Sequence, residues 1–386
     1  AGDAGMYVLI DFHQDVWSRM SGGDGAPCWT FEKAGIDYRN ISASGSARVM
    51  QADYDYEDPR PVQDEAYPAM CWQNNNRLAA TAIMWTLFFA GKDFAPGLSI
   101  DGVSIEDYLQ EHYSACLREV ARRVAGLPNV LGFDTLNEPG SGWIGVPMDK
   151  RYTKRSDYRT MPGIALSPVE CLFAAQGNPV RAPELAVSFL RGGIVRKREV
   201  VVNENRVPLW LAGRADPFLE AGAWEVARGS SYRVLRNDYF EKVGDRQVRF
   251  ERDYYVPFAH RVASAVRGIR DDWLLFANVD ASRYYYEASL PALLPERTVN
   301  ASHWYDGLTL ITKKFHYPLT IDGVQRRLVL GKRGIAKMFE SQLARYKRDS
   351  RRLPGGAPTF LGEFGIPFNL RGGRRSEEHT SELQSR

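Results

Sequence analysis

The stretch Val130-Leu-Gly-Phe-Asp-Thr-Leu-Asn-Glu-Pro139 decides the fold, because a short apolar run ends there directly in polar residues. A run of this kind is typical of a strand buried on both faces of a parallel sheet. Four similar runs lie at 7–11, 273–279, 299–304 and 359–362. Helical patterns separate these runs, so we predict an α/β fold with a parallel sheet and helical crossovers.

Apolar spacing locates the crossover helices. We expect helices at 78–90, 105–124, 256–270 and 331–350. In the second of them, the predicted buried face follows the 3.6-residue period and includes Leu109, His112, Cys116 and Leu117.

The segment from 140 to about 253 breaks the alternation of strand and helix. We interpret it as a long insertion on the loop after the Val130–Leu136 strand, with a small hairpin at 195–207. Its bulky apolar residues, Phe173, Trp210 and Trp224 among them, are explained equally by a groove for a lipid and by packing in the core.

Polar side chains follow four of the predicted strands at the point where each strand ends. The first run ends at Asp11 and is followed by His13 and Asp15, and the second is followed by Asn137 and Glu138. The fourth contains His303 near its end and is followed by Tyr305, and the fifth is followed by Glu363. The carboxyl ends of the strands form the active-site face of a parallel barrel. We therefore expect Glu138 and Glu363 to converge, although 225 residues separate them in the chain.

Two glutamates at two strand ends suit glycoside hydrolysis. One carboxylic acid protonates the leaving oxygen, and a second carboxylate attacks the anomeric carbon when the pair is about 5–5.5 Å apart. Like charges at this distance push the two pKa values apart, so that one group stays protonated near neutral pH. An asparagine directly before the acid, as Asn137 is before Glu138, can bind the sugar 2-hydroxyl, and a tyrosine hydroxyl can orient the nucleophile.

Composition excludes several other classes of protein. The 386 residues include 50 basic and 47 acidic ones, and a net charge of +3 is too small to indicate a nucleic-acid partner. The four cysteines are far apart, so we expect small buried side chains rather than a zinc site or a disulfide framework. Asp11 and His13 could be metal ligands, but no third histidine or cysteine lies at ligand spacing from them, so we expect neither a metal nor another cofactor.

Several longer motifs carry a resemblance to a known family. The stretches Leu9–Arg19, Met84–Pro96 and Gly132–Pro139, together with Gly142–Gly145, resemble glycoside hydrolase family 5. Within it they are most similar to the branch related to endoglycoceramidases, which includes fungal glucosylceramidases and steryl β-glucosidases. The resemblance covers most of residues 5–371.

The resemblance implies a (β/α)8 TIM barrel followed by a β-sandwich. By this comparison residues 1–374 form an incomplete barrel, with about strands 3 to 7 present and the 140–253 insertion after strand 4. An open barrel exposes strand edges, so the chain by itself is expected to be poorly stable and inactive. Residues 375–386 are similar to a translated sequencing-library adapter and are interpreted as a non-native tail.

The resemblance also implies roles for single residues. Glu138 corresponds to the acid/base and Glu363 to the nucleophile. The remaining predicted substrate contacts are Asn137 at the 2-hydroxyl, His303 and Tyr305 beside the nucleophile, and His13 and Asp15 at the non-reducing-end glucose. Among the aromatic residues of the loops, Trp29 is a candidate platform for sugar stacking, with packing as the alternative.

The function that follows is that of a retaining β-glycosidase acting on a β-glucoside with a lipid aglycone, such as glucosylceramide or a steryl glucoside. The alternatives are an endoglycoceramidase or endo-β-glucanase on longer glycans, and a non-catalytic barrel that binds carbohydrate or lipid. The basic segment Lys150–Arg159 would allow transient contact with an anionic membrane surface, but a solvated loop is the favoured explanation. We expect a cytoplasmic monomer whose partner is the glycolipid substrate.

Overall fold

The computed structural model describes residues 1–52, 54–58, 72–154, 157, 159–188, 191, 193–228, 231–279, 290–325 and 327–366. The interpretation of residues 375–386 as a non-native tail falls outside these ranges. Within them, no helix is both long enough and apolar enough to cross a membrane.

The elements are numbered in chain order. The strands are β1 (Val8–Ile10), β2 (Ser99–Ile100), β3 (Val103–Ser104), β4 (Val130–Asp134), β5 (Gly163–Ile164), β6 (Val180–Ser188), β7 (Gly193–Val202), β8 (Trp224–Ala227), β9 (Ser231–Val234), β10 (Lys242–Val243), β11 (Arg246–Gln247), β12 (Leu274–Ala277), β13 (Thr298–Asn300), β14 (Trp304–Tyr305), β15 (Leu319–Asp322), β16 (Arg327–Leu330) and β17 (Phe364–Gly365). The α-helices are α1 (Trp29–Lys33), α2 (Ala79–Phe94), α3 (Ile105–Val124), α4 (Pro168–Ala175), α5 (Pro217–Glu220), α6 (Val256–Arg267), α7 (Gly307–Thr312) and α8 (Gly331–Ser350).

A parallel sheet forms the centre of the fold, in the order β1-β4-β12-β13. Beyond β13 the parallel pairing continues through a bridge between Asn300 and Thr359 and through the pair β14 and β17. The predicted α/β fold with parallel strands is therefore confirmed. The fifth predicted strand, at 359–362, contributes only that bridge before β17 begins at Phe364.

The helices form where the sequence predicts them. The bounds of α3 and α8 match the prediction to the residue, and Ser104 begins α3 by accepting the backbone N–H of Asp107. Helix α2 is longer than predicted and is buried almost throughout, because α3 and α4 both pack against it.

Two predictions of burial are wrong. On α3, His112 and Cys116 are exposed, and the buried face turns toward Gln110 and Ser114, whose polar groups bind backbone carbonyls. Strand β1 is only half-buried, because it lies at one end of the four-stranded sheet.

Of the other cysteines, Cys171 is buried and Cys28 is half-buried, and Cys71 lies outside the described residues.

The 140–253 segment carries antiparallel strands among its described residues, namely β5-β6-β7, β8-β9 and β10-β11. The hairpin predicted at 195–207 is wrong: 193–202 is one strand, and its partner is β6. Pro183 and Glu184 interrupt the apolar pattern of β6, so the sequence pattern does not predict this strand. Three bulky residues of this segment belong to the main core, namely Phe173, Trp210 and Trp224. The bounds of the insertion stay a prediction.

Candidate active site

The candidate site lies at the carboxyl ends of the parallel strands. Glu138 follows β4, His303 follows β13, and Glu363 directly precedes β17. One ligand atom of each residue lies within 4.8 Å of those of the other two. The structure thus brings together the two glutamates that the sequence analysis expects to meet.

His303 bridges the two carboxylates. Its Nδ1 atom lies 2.7 Å from Oε1 of Glu138 and 3.4 Å from Oε2 of Glu363. Burial of the ring acts to lower its pKa, but the hydrogen bond to Glu138 and the charges of both glutamates outweigh burial and raise it. His303 therefore holds a proton beside Glu138 more readily than a free histidine does.

Tyr305 fixes the orientation of Glu363. Its hydroxyl donates a 2.8 Å hydrogen bond to Oε2 of Glu363. Burial and the negative charge of Glu363 raise the pKa of Tyr305, so its hydroxyl stays a donor. The backbone adds a second tie, because the N–H of Trp304 donates to the carbonyl of Glu363 at 2.9 Å.

Gly362 has no room for a side chain. A Cβ at this position would collide with the carbonyl oxygen of Ala301 and would lie 3.0 Å from the His303 ring. The chain before Glu363 thus passes directly against the residues that lead to His303, and this close approach accounts for the glycine.

His13 and Asp15 lie on the other side of Glu363. The His13 ring lies between Asp11 and Asp15, at 3.3 and 3.4 Å, and its Nδ1 is 3.7 Å from Oε1 of Glu363. Hydrogen bonds to Asp11 and Asp15 raise the pKa of His13 to about 11. At neutral pH the ring is a partly exposed cation next to Glu363, and it can bind sugar hydroxyls as a donor.

Asn137 is buried, with its side-chain N–H₂ committed to the protein. Its Nδ2 donates to the carbonyl of Gln14 at 2.9 Å, while Nε2 of Gln14 donates to the carbonyls of Asn137 and Glu138 at 2.8 and 3.2 Å. This reciprocal pair joins the loop after β1 to the loop after β4. A contact between Asn137 and the 2-hydroxyl stays a prediction.

Trp29 lies apart from this cluster in its described contacts. Its ring meets His112 and Tyr108 of α3 edge-on, with centroids 5.1 and 6.3 Å away. The arrangement agrees with the packing alternative, and the role in sugar stacking stays a prediction.

A cavity of about 720 Å³ begins close to Glu138. Its wall includes Gly140, Ser141 and Gly142, so it starts two residues beyond the glutamate, at most about 7 Å along the chain. Apolar and aromatic side chains line it together with basic ones, among them Trp143, Phe250, Met161, Arg77, Arg159 and Arg249.

Comparison with known proteins agrees with this geometry. The chain is 29% identical over 382 residues to a glucosylceramidase of Rhizopus delemar, a match that covers 95% of this chain and 53% of that protein. It is 27% identical over 406 residues to ergosteryl-β-glucosidase of Saccharomyces cerevisiae, covering 95% and 52%. The predicted resemblance to these enzymes is confirmed.

A solved structure supports the same relationship. The crystal structure of sterylglucosidase 1 from Cryptococcus neoformans superposes with a TM-score of 0.85 at 29% identity, covering 96% of this chain and 55% of that one. No family model matches the chain. The chain spans about half the length of the curated relatives that it matches.

Sequence reasoning missed a pair of residues behind Glu138. Oδ1 of Asn278 accepts the backbone N–H of Glu138 at 2.8 Å, and Nδ2 of Asn278 donates to both carboxylate oxygens of Asp134 at 3.1 and 3.0 Å. Burial raises the pKa of Asp134 to about 7. Asn278 directly follows β12, so the rule that selected Glu138, a polar residue at a strand end, could have found it.

Three residues with left-handed backbone lie at or near Glu138. Glu138 has φ of 39°, and Val16 and Trp17 in the loop after β1 have φ of 45° and 81°. Side chains other than glycine rarely adopt this left-handed region, and such residues concentrate at functional sites. Hydrogen bonds hold two of them, since Asn278 binds the N–H of Glu138 and Oε1 of Gln14 accepts the N–H of Trp17.

Two groups of side chains have the spacing of metal ligands. They are His13 with Asp15 and Asp24, and Glu138 with His303 and Glu363. A divalent cation on the second group would occupy the atoms through which His303 bridges the glutamates. The expectation that the site needs no metal stays a prediction.

Proposed function

We propose that this chain carries the catalytic centre of a retaining β-glycosidase that hydrolyses a β-glucoside with a lipid aglycone. The observation that carries the proposal is the approach of Glu138 and Glu363, with one carboxylate oxygen of each within 4.8 Å. Retaining enzymes place their two carboxyl groups about 5–5.5 Å apart, whereas inverting enzymes need room for a water molecule between them. The names of the relatives, glucosylceramidase and ergosteryl-β-glucosidase, favour glucosylceramide or a steryl glucoside.

In the first step Glu363 attacks the anomeric carbon while protonated Glu138 donates its proton to the glycosidic oxygen. The bond between the anomeric carbon and that oxygen breaks, and the aglycone leaves as an alcohol. Glucose remains as an ester on Glu363. Tyr305 supports this step, because its hydrogen bond aims the attacking carboxylate.

In the second step Glu138, now a carboxylate, takes a proton from a water molecule that attacks the anomeric carbon. The ester bond to Glu363 breaks, glucose leaves with its original configuration, and Glu138 is again protonated. His303 contacts Glu138 throughout, and its raised pKa makes it a hydrogen-bond donor to the carboxylate form. His13 and Asp15 supply a donor and an acceptor for the hydroxyls of the bound glucose.

The cavity beside Gly140 is the proposed place of the aglycone. The acid must touch the glycosidic oxygen, so the leaving group has to lie on the Glu138 side of the glucose. The wall of the cavity includes Gly140, two residues after Glu138, and its volume falls in the range of small-molecule sites. Lys150, Tyr152 and Arg159 of the basic segment also line it.

We also propose that the parallel strands are about strands 3 to 7 of a (β/α)8 barrel. The superposition on sterylglucosidase 1, with a TM-score of 0.85, supports this proposal. The position of Glu138 and His303 beyond the carboxyl ends of β4 and β13, and of Glu363 after the Thr359 bridge, also agrees with it.

The test uses the protein encoded by the complete gene, assayed on glucosylceramide, a steryl glucoside, a soluble aryl β-glucoside and a cello-oligosaccharide. We expect hydrolysis of the lipid glucosides, and a loss of several orders of magnitude in kcat for Glu363→Gln. Mass spectrometry of a trapped intermediate should find the hexose on the peptide that contains Glu363. Preference for the cello-oligosaccharide would favour the endo-acting alternative, and binding without hydrolysis would favour the non-catalytic one.

A further inference from the structure

The hairpin of β15 and β16 lies between α7 and α8 and has two unlike faces. Leu319 pairs with Leu330, Thr320 with Val329, and Ile321 with Leu328. Directly opposed residues of an antiparallel pair point to the same side of the sheet, and successive residues alternate. One face therefore carries Thr320 and Val329, and the other carries four aliphatic side chains.

The face that carries Thr320 and Val329 is covered by the rest of the protein. Thr320 and Val329 are buried, and Val329 packs with Ile335 and Met338 of α8 in a small core of its own. A hairpin covered on one side normally shows polar residues on the other. The aliphatic composition of the outer face is therefore not explained by packing within the described residues.

The outer face is well exposed. Leu328 and Leu330 are 66% and 71% exposed, and Leu319 is 37% exposed. Two aromatic residues that directly precede β15 in the chain are exposed as well, since Phe315 is 46% and Tyr317 is 63% exposed. Isolated apolar side chains on a surface need no explanation, but a contiguous group marks a contact with a partner or a membrane.

The charge around the hairpin indicates which kind of partner its outer face contacts. From Gly307 to Lys337 the sequence has seven lysines and arginines and one acidic residue, Asp322, whose side chain is buried. Apolar and aromatic side chains among basic ones are typical of a surface that lies in the headgroup region of an anionic bilayer. A second copy of the same surface is disfavoured, because two strongly basic faces would repel each other.

The hairpin is tied to the candidate active site. Nε1 of Trp304 donates to Oε1 of Gln342 at 3.1 Å, and Nε2 of Gln342 donates to Oδ1 of Asp322 in β15 at 3.2 Å. Trp304 is the neighbour of Tyr305, whose hydroxyl binds Glu363. A membrane contact at the hairpin would thus hold the catalytic face close to the bilayer, where a lipid glucoside resides.

We propose that the outer face of this hairpin, formed by Leu319, Ile321, Leu328 and Leu330 with Phe315 and Tyr317 beside it, docks on anionic lipid bilayers. Exposed Lys314, Lys332 and Arg333 attract the lipid headgroups, and the leucines insert between them. The benefit of this surface for catalysis rests on the proposed function, but the binding itself does not, because it requires no glucoside.

The experiment is flotation of the protein encoded by the complete gene with vesicles of equimolar phosphatidylserine and phosphatidylcholine, and with phosphatidylcholine vesicles alone. We expect binding to the anionic vesicles that weakens as salt is added. The double variant Leu328→Ser, Leu330→Ser should bind the anionic vesicles at least about tenfold more weakly, because two apolar anchors are lost. The matched control is Val226→Ser with Leu235→Ser, two apolar residues 53% and 45% exposed elsewhere, and it should bind as the unmodified protein does.

Three outcomes overturn the proposal. They are absence of binding to anionic vesicles, equal binding by the Leu328/Leu330 variant, and unfolding or aggregation of that variant while the control folds, which would show that another protein segment covers the face. Activity gives a second measurement: the Leu328/Leu330 variant should cleave a soluble aryl glucoside normally and a vesicle-embedded steryl glucoside more slowly. A protein that binds vesicles but cleaves no glucoside would refute the proposed function and would still support the proposed membrane-binding surface.

Discussion

Oδ1 of Asn278 accepts the backbone N–H of Glu138 at 2.8 Å and so holds the glutamate in the left-handed region, at φ of 39°. The same amide donates to both oxygens of the buried Asp134 carboxyl group. The side chain of Asn278, at the end of β12, thus forms hydrogen bonds both with the strained backbone of Glu138 after β4 and with the buried carboxyl group of Asp134. The position of the proposed acid depends on a neighbouring strand.

Replacing Asn278 with alanine should therefore damage both stability and activity. The N–H of Glu138 and the Asp134 carboxyl group would be left buried without this partner, at a cost of about 2–4 kcal/mol in the free energy of unfolding. Chemical denaturation measures the first effect. We also expect kcat to fall more than KM rises, because the proposed acid is displaced while His13 and Asp15, the proposed glucose contacts, are unchanged. Unchanged kcat in a folded Asn278→Ala protein would contradict this account of Glu138.

Tyr305→Phe should lower kcat roughly ten- to hundredfold, since it removes one hydrogen bond to a charged carboxylate, worth about 1.5–3 kcal/mol. KM should change little, because the hydroxyl is proposed to orient Glu363 rather than to hold the substrate. Steady-state kinetics on a soluble aryl glucoside measures both constants. The matched control is Tyr7→Phe, which removes the hydroxyl of a tyrosine that is 71% exposed and should be silent. Equal effects of the two variants would remove Tyr305 from the mechanism.

Gly362→Ala should destabilise the fold and reduce activity together. The added Cβ would collide with the Ala301 carbonyl and press on the His303 ring, so the chain that leads to Glu363 must shift. Overpacking of this kind costs about 1–3 kcal/mol. Gly97→Ala is the control, because a Cβ at Gly97 meets nothing within 4 Å. We expect a lower Tm and a lower kcat for the first variant only, and full activity of Gly362→Ala would show that Glu363 tolerates the shift.

His13→Gln should change how stability depends on pH. The pKa of His13 is raised from 6.5 to about 11 by its hydrogen bonds to Asp11 and Asp15, so the protonated ring favours the folded state. This contribution is fully present below about pH 6.5 and is lost as the pH rises toward 11. The ring is 44% exposed and screened by solvent, so we expect no more than about 1 kcal/mol.

Denaturation of the two proteins across that range checks the sign. The unmodified protein should exceed His13→Gln in stability most at low pH, and the difference should shrink as the pH rises. A difference that grows with pH would mean that the folded chain holds His13 neutral.

The sequence by itself determined the parallel sheet, the main helices and the meeting of Glu138 with Glu363. Short apolar runs that end in polar residues specify buried parallel strands, and the strand direction gathers their carboxyl ends on one face. Helix α3 could be predicted to the residue because Ser104 begins it and the apolar period runs through it. These features depend on neighbours along the chain, which the sequence shows directly.

Only the tertiary structure decided the contacts between distant segments. No local pattern shows that Asn278 binds the N–H of Glu138, because the two residues lie on different strands and meet only through the register of β4 and β12. The same limit applies to the hairpin surface. The run Leu328-Val-Leu330 is apolar on both faces of a strand, so the sequence does not show which face is buried. In the structure α8 packs only against Val329, and the two leucines face outward.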